Sequence, residues 1–349
     1  MSRTDPLLLE ATRKILHDLA DPQTRPRASD AEGRPALWRA LEESGLVRAW
    51  VPEWANGSGA GIADGFVILT LAGEVALDVP LAETLLAGWL LATAGLPVPE
   101  GKLAPAAGVE IRADGRLHGR ATGVPFARHA DRLAVIGRRA NREATVALVE
   151  RSACRLDARE NLAGEPRDTV VLDGVLPAEV AVAPADIDDQ LDTMGAVARA
   201  CQMSGALQGV LGRAVTYSGE RVAFDRPIGK FQAVQHALAR LAGETAVALA
   251  ASGSAADALA GEGGDPEGIF LEVASAKIRV GQAAATGAGI AHQVHGAIGF
   301  STEHPLHLYT KRLWAWRDDF GSESAWAVRL GAHVARRGAD ALWPMLAAR

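Results

Sequence analysis

The sequence predicts an α+β chain in three parts. These are an N-terminal helical domain over residues 1–98, a small central β-domain in barrel or sandwich form over 99–187, and a C-terminal four-helix bundle over 188–349. Three observations carry that prediction. Apolar residues recur at helical spacing up to about residue 98, short period-two runs separated by turn residues follow, and long helical patterns with short connections begin after Pro184. A chain of 349 residues, 48% of them hydrophobic, is long enough for two or three packed units.

In the first part, Leu7, Leu8, Ile15, Leu16 and Leu19 outline an amphipathic helix, and Pro35-Ala-Leu-Trp-Arg-Ala-Leu begins a second. Pro52 and the glycines of Asn56-Gly-Ser-Gly-Ala-Gly-Ile read as a loop, with Asp64 as N-cap of the next helix. That glycine run is no dinucleotide fingerprint, because no strand leads into it. In the second part, Val109-Glu-Ile-Arg alternates at period two, and Asp114-Gly115 reads as a hairpin turn before Arg116-Leu-His-Gly. Leu133-Ala-Val-Ile, Thr145-Val-Ala-Leu-Val and Thr169-Val-Val-Leu are further strands. In the third part, helices are expected from Asp186 to about Ser218, Phe231 to Leu259, Glu267 to His292 and roughly Ser322 to Leu342, with a turn at 261–264.

Composition narrows the function classes. The net charge is −6 with both signs scattered, which argues against a nucleic-acid surface and against a polybasic membrane anchor. Cys154 and Cys201 are far apart and form no CxxC, which excludes a disulfide framework or thiolate zinc site and favours a reducing compartment. The start, MSRTDPLLLEATRK, lacks a long apolar run behind a basic head, and the apolar stretch Thr84 to Leu96 is too short to span a bilayer. A soluble, cytoplasmic protein is expected. His292, His295, His304 and His307 do not have the spacing of two facing ligands plus a carboxylate on one helix, so no metal site is expected.

The chemistry concentrates in Tyr217 to His236, YSGERVAFDRPIGKFQAVQH. Asp225-Arg226-Pro227-Ile228-Gly229 breaks one helix from the next, since Pro227 lacks an N–H and Gly229 accepts unusual backbone angles. Apolar Phe231, Val234, Leu238 and Leu241 then fall on one helix face. Arg221, Gln232, Gln235 and His236 cluster around the turn. An arginine beside a helix start with amides nearby suits a pyrophosphate, although the spacing alone favours a surface ion pair.

The pattern Arg-x-x-Phe-x-x-Pro-Ile-x-x-Phe-Gln-x-x-Gln-His is similar to the signature of the acyl-CoA dehydrogenases, which are flavoproteins. The stretch Gln293-Val-His-Gly-Ala-Ile-Gly-Phe-Ser-Thr-Glu-His-Pro-Leu-His-Leu-Tyr resembles the same family's later motif. The resemblance extends over essentially the whole chain and implies the family's fold, FAD as cofactor, and α,β-desaturation of an acyl-CoA. In that reaction a carboxylate takes the α-proton and the β-hydrogen leaves as hydride to the flavin. The implied cofactor residues are Arg221 for the pyrophosphate, Phe224 and Ile228 near the adenine end, with Phe231 and Gln232 beside them. Gln293, Gly296 and Ala297 follow from the later motif. Asp225 stands where a glycine is usual, with Arg226 as the residue to neutralise it.

The catalytic groups of the pattern are missing. The usual glutamate position holds Phe320, and the alternative position in the first bundle helix falls near Gly195-Ala196. Asp192 reads as an N-cap, and Asp318 and Asp319 are the candidates for a displaced base. The segments that hold the flavin ring correspond here to Leu103-Ala-Pro-Ala-Ala-Gly-Val-Glu and Val124-Pro-Phe-Ala, without the family's polar groups. The resemblance is therefore closest to the short, base-less subunit of heteromeric bacterial enzymes acting on steroid side-chain CoA thioesters. It implies a sister acyl-CoA dehydrogenase chain, a heterotetramer, and an electron-transferring flavoprotein as acceptor. A self-sufficient enzyme using Asp318 or Asp319, and a non-enzymatic relative, are the alternatives.

Overall fold

The computed structural model describes residues 6–23, 34–261 and 263–347. The first five residues of the N-terminal segment, and Glu262 of the expected 261–264 turn, lie outside them. Four helices open the chain: α1 (Pro6–Ala20), α2 (Pro35–Glu43), α3 (Ile62–Glu74) and α4 (Leu81–Thr93). Helix α2 starts on Pro35, whose missing N–H costs nothing at a helix start, and buries Leu37, Trp38 and Leu41 along one stripe. The entry to α3 differs from expectation. Gly61 is the N-cap, and Asp64 sits one turn in, where its Oδ2 accepts from the Gly61 N–H at 3.0 Å.

Seven strands follow: β1 (Leu103–Ile111), β2 (Leu117–Pro125), β3 (Arg132–Arg138), β4 (Ala144–Glu150), β5 (Arg155–Asp157), β6 (Arg167–Val175) and β7 (Glu179–Val182). They form one sheet in the order β5-β6-β2-β1-β3-β4-β7, antiparallel except for the β1–β3 pair. Residues of β1, β2, β3, β4 and β6 on one face, among them Ala106, Val109, Leu117, Leu133, Val149 and Leu172, pack against one another as a separate core. A sheet whose single face meets itself must curl. Gly108, at φ +84, sits at the break in the β1–β3 register and lets Ala106 and Val109 both turn inward. The Asp114-Gly115 turn joins β1 to β2 as the sequence predicts, with Gly115 at φ +78.

The sheet docks on the N-terminal helices through α4. Thr84 Oγ1 donates to the Leu103 carbonyl at 3.2 Å and accepts from the Leu103 N–H at 3.1 Å, both out of water. The other face of β3 and β4, with Ala134, Ile136, Val146 and Leu148, joins the core of those helices.

The C-terminal part is organised on α5 (Ile187–Glu220), which is buried nearly all round between Met194 and Leu207. It packs on α6 (Gln232–Ala260) and α7 (Pro266–His295), and on α3 through a backbone-to-backbone crossing. A Cβ on Gly73 would lie 2.0 Å from the Gln202 carbonyl oxygen, and one on Gly205 1.8 Å from that of Thr70. Any side chain at either position would part the two helices. The fourth expected helix, from Ser322 to Leu342, is corrected: α9 (Glu323–Arg337) and α10 (Ala339–Ala347) are separate, broken at Gly338 with φ +84. The sequence reading also missed α8 (Leu306–Trp316), which buries Tyr309, Leu313 and Trp316 against α5 and α7. Asp192 is not a cap. Helix α5 begins at Ile187, so Asp192 lies in its second turn and is exposed. Cys154 and Cys201 are both free thiols in the interior.

Candidate active site

Between α5 and α6 the chain makes a short hairpin, β8 (Val222–Ala223) and β9 (Arg226–Pro227). Its two turn residues, Phe224 and Asp225, have φ +50 and +61, the left-handed geometry that Asn-Gly turns adopt without strain. That is the physical reason a glycine suits position 225. Phe224 is 89% exposed, and Arg221 and Gln232 are exposed as well. Arg221 makes no ion pair among the described residues, so the surface-pair reading finds no partner. Arg226 does not reach for Asp225 as the sequence reading supposed; its guanidinium lies over the Phe231 ring at 4.2 Å.

The other expected residues meet at the end of α7. Gln293, Gly296 and Ala297 line a cleft of about 560 Å3 together with Gly289, His292, Phe300 and Trp314. Gly289 and Gly296 turn bare backbone to it, since a Cβ on either would meet nothing within 4 Å. Gly296 ends the helix at φ +63 and ψ −143, a combination open essentially to glycine alone. The hairpin and the cleft stand at the same end of the molecule. Tyr217, four residues before Arg221, stacks on His295 at 4.6 Å, and His304 packs against His295 at the same centroid distance and edge-on to Tyr217 at 6.0 Å. Burial lowers all the histidines here that face the interior. His304 is pushed down to about 4 by burial, with His295, Arg213 and His307 adding to it, and His292 and His295 move the same way. Near neutrality these rings are uncharged packing elements. Among the described residues no group of three or more His, Cys, Asp or Glu converges as a metal site would.

The two positions where the sequence comparison looked for a base come together. A Cβ on Gly195 would lie 2.4 Å from Cδ1 and Cε1 of Phe320, so the ring rests on the bare backbone of α5. Asp318 is exposed, whereas Asp319 is nearly enclosed. The Asp319 Oδ2 accepts from Arg199 Nε at 2.8 Å and also from Arg167. An oxygen shared by two guanidinium groups is not turned toward a substrate.

Sequence reading missed the buried charges around that turn. Arg199, 2% exposed, pairs with Glu83 of α4 at 2.6 Å as well as with Asp319. Burial pulls its pKa down, but Glu83, Asp319 and Glu165 together more than offset that and hold it charged. Glu165 pairs with Arg312 at 2.9 Å and accepts from Trp316 Nε1 at 3.0 Å. Lys277, 1% exposed, donates to the carbonyls of Arg317 at 2.9 Å and Trp316 at 3.3 Å, capping α8. The available signal was a charge inside an apolar helical run, as in Ala198-Arg-Ala-Cys, Ala276-Lys-Ile and Leu81-Ala-Glu-Thr-Leu-Leu.

Lys277 makes a pH dependence measurable. Burial pushes it down to about 8 from an ordinary 10.5, with Asp319 opposing. Between those two values the unfolded chain holds a proton that the folded chain has released, so stability rises with pH across the window. The gain by its end is on the order of 3 kcal/mol. Urea unfolding across that window should show the wild type gaining on Lys277→Met. Parallel curves for the two proteins would contradict the assignment. The comparison also removes the buried thiols, which titrate nearby in both.

Residues 191–316 match the acyl-CoA dehydrogenase C-terminal domain. Over these residues the chain carries the acyl-CoA dehydrogenase C-terminal domain. The acyl-CoA dehydrogenase IpdE2 of Mycolicibacterium smegmatis is 29% identical over 318 residues, covering 89% of this chain and 93% of its own. In the solved ChsE4–ChsE5 complex of Mycobacterium tuberculosis, a chain 25% identical superposes with a TM-score of 0.82 over 95% of this chain and 98% of that one. The Tcur3481–Tcur3483 steroid ACAD has a chain 28% identical, with a TM-score of 0.83 over 95% and 97%. Acyl-CoA dehydrogenases are FAD flavoproteins that oxidise acyl-CoA thioesters, and this chain is similar to them over nearly its whole length.

Whether its residues fit FAD depends on which end of the cofactor is considered. At the dinucleotide end the fit is good: an unpaired arginine, an exposed aromatic ring, side-chain amides and a cleft with bare glycine backbone. At the flavin-ring end it is poor. The residues matching the family's ring-holding segments, including Val124, Phe126 and Ala127, are buried inside the β-domain. No helix of the described residues is long and apolar enough to cross a membrane.

Proposed function

We propose that this chain is the supporting subunit of a heteromeric acyl-CoA dehydrogenase. It completes an FAD site across the subunit interface while a sister acyl-CoA dehydrogenase chain supplies the base and the acyl pocket. The observation that carries this reading is the contact of Phe320 with Gly195. Both positions for a carboxylate meet at one point, and neither side chain can take a proton. Asp319, the acid next to Phe320 in the chain, is engaged by Arg167 and Arg199, which disfavours a self-sufficient enzyme.

In this reading Arg221 gives charge-assisted hydrogen bonds to the pyrophosphate, and Phe224 and Ile228 border the adenine end with Phe231 and Gln232. Gln293 offers its amide, and Gly296 and Ala297 let the dinucleotide approach the backbone. When bound, FAD supplies the acceptor for the substrate's β-hydrogen. The three-part division at residues 98 and 187 serves this arrangement, since all these residues fall in the C-terminal part. The substrate class is a steroid side-chain CoA thioester, supported by the likeness to the Tcur3481–Tcur3483 steroid ACAD. A heterotetramer in the cytoplasm, passing electrons to an electron-transferring flavoprotein, completes the proposal.

The test is the Arg221→Ala variant in the assembled complex. Losing one charged hydrogen bond should weaken FAD binding by about 10- to 100-fold. The flavin-to-protein absorbance ratio after gel filtration should fall accordingly. Unchanged flavin content would remove Arg221 from the site.

A further inference from the structure

We infer that Phe320 is a built-in plug, whose ring fills the apolar space beside Gly195 that an acyl chain would otherwise enter. This rests on the reading that the chain has no acyl site of its own. It adds the residue that keeps the site shut.

The backbone gives the first argument. Phe320 has φ +53, a conformation that bulky residues adopt only when their surroundings hold them there. A glycine or asparagine would sit in this turn without that strain, so it is the ring that the strained geometry serves. The second argument is how firmly the turn is held. On one side of Phe320, the Asp319 carboxylate lies between Arg167 and Arg199. The Phe320 carbonyl itself accepts from Trp326 Nε1 at 2.9 Å. Upstream, Lys277 caps the α8 carbonyls, and Arg317 pairs with Glu323 across the turn. The third argument is the receiving surface. Gly195 has no side chain, and the ring occupies the gap that this leaves on α5. The ring packs against the core shared by the N-terminal helices, α5 and α7, and the residue keeps part of its surface open to solvent. The space it fills is therefore apolar and reaches solvent, which are the properties a site for a hydrocarbon chain needs.

The proposal is tested on the full chain, assembled with its co-purifying partner, by titrating octanoyl-CoA in a calorimeter. The readout is the number of sites per copy of this chain beyond the acyl pocket of the sister chain, which is counted on that chain titrated separately. Phe320→Gly removes the ring and relieves the left-handed strain together, so the fold should survive. Phe320→Asn, also tolerant of that geometry, is the second variant. Both should gain one site that the wild type lacks, at an affinity at least about tenfold above any wild-type binding there, the effect of burying two methylene groups. Phe320→Leu should keep the site closed. No new site in either opened variant would overturn the plug, and so would a wild-type chain that already binds one octanoyl-CoA of its own. Failure of the composite FAD reading shows elsewhere, as flavin bound by this chain alone, and is thereby distinguished.

Discussion

Arg199→Met should destabilise the fold by about 3–5 kcal/mol, the cost of removing one partner from a buried ion pair and leaving the other charge behind. Two carboxylates depend on this guanidinium. Glu83 reaches it from α4 at 2.6 Å and Asp319 from the turn after α8 at 2.8 Å, and Glu83 has no other ion-pair partner among the described residues. The loss is a large share of a stability that is rarely above about 15 kcal/mol. A second change, Glu83→Gln, should recover part of it, because one stranded charge becomes a neutral amide. Urea midpoints of the three proteins measure this. A loss under about 1 kcal/mol for Arg199→Met would place the network among solvated surface pairs and refute its role as the tie between parts.

That network explains what the sequence could and could not reveal. The helices and strands were legible because their apolar residues repeat at helical or period-two spacing, as in Leu37, Trp38 and Leu41 or in β4. The Asp114-Gly115 turn was legible because few dipeptides accept φ near +78. Helix α8 was not legible. It carries Lys311 and Arg312 close to Trp314 and Trp316, with Arg317 just past its end, and Arg312 and Arg317 find their carboxylates outside the helix, in Glu165 and Glu323. Asp64 was misplaced by one turn because an acid at N3 and an acid at the N-cap give the same local signal. The candidate site divides in the same way. Arg221, Phe224, Gln232 and Gln293 stand in two short motifs that survive as sequence, and the structure leaves them exposed. Arg199, Glu83 and Asp319 come from positions more than a hundred residues apart in the chain, and only the packing of α4, α5 and α8 reveals the relation.

Phe320 shows how the two kinds of reading combine. Its place in the motif told that a glutamate is missing. Its ring on Gly195 tells that the second possible base position is occupied by the same side chain. In the proposed reading a single aromatic residue stands at both positions.

The most direct test of the composite site is the flavin spectrum and mass of this chain purified alone, beside the same chain co-expressed with a sister acyl-CoA dehydrogenase chain. The account predicts a colourless or insoluble chain on its own and a yellow hetero-oligomer in the mixture. A yellow homo-oligomer of this chain alone, oxidising an acyl-CoA, would contradict it.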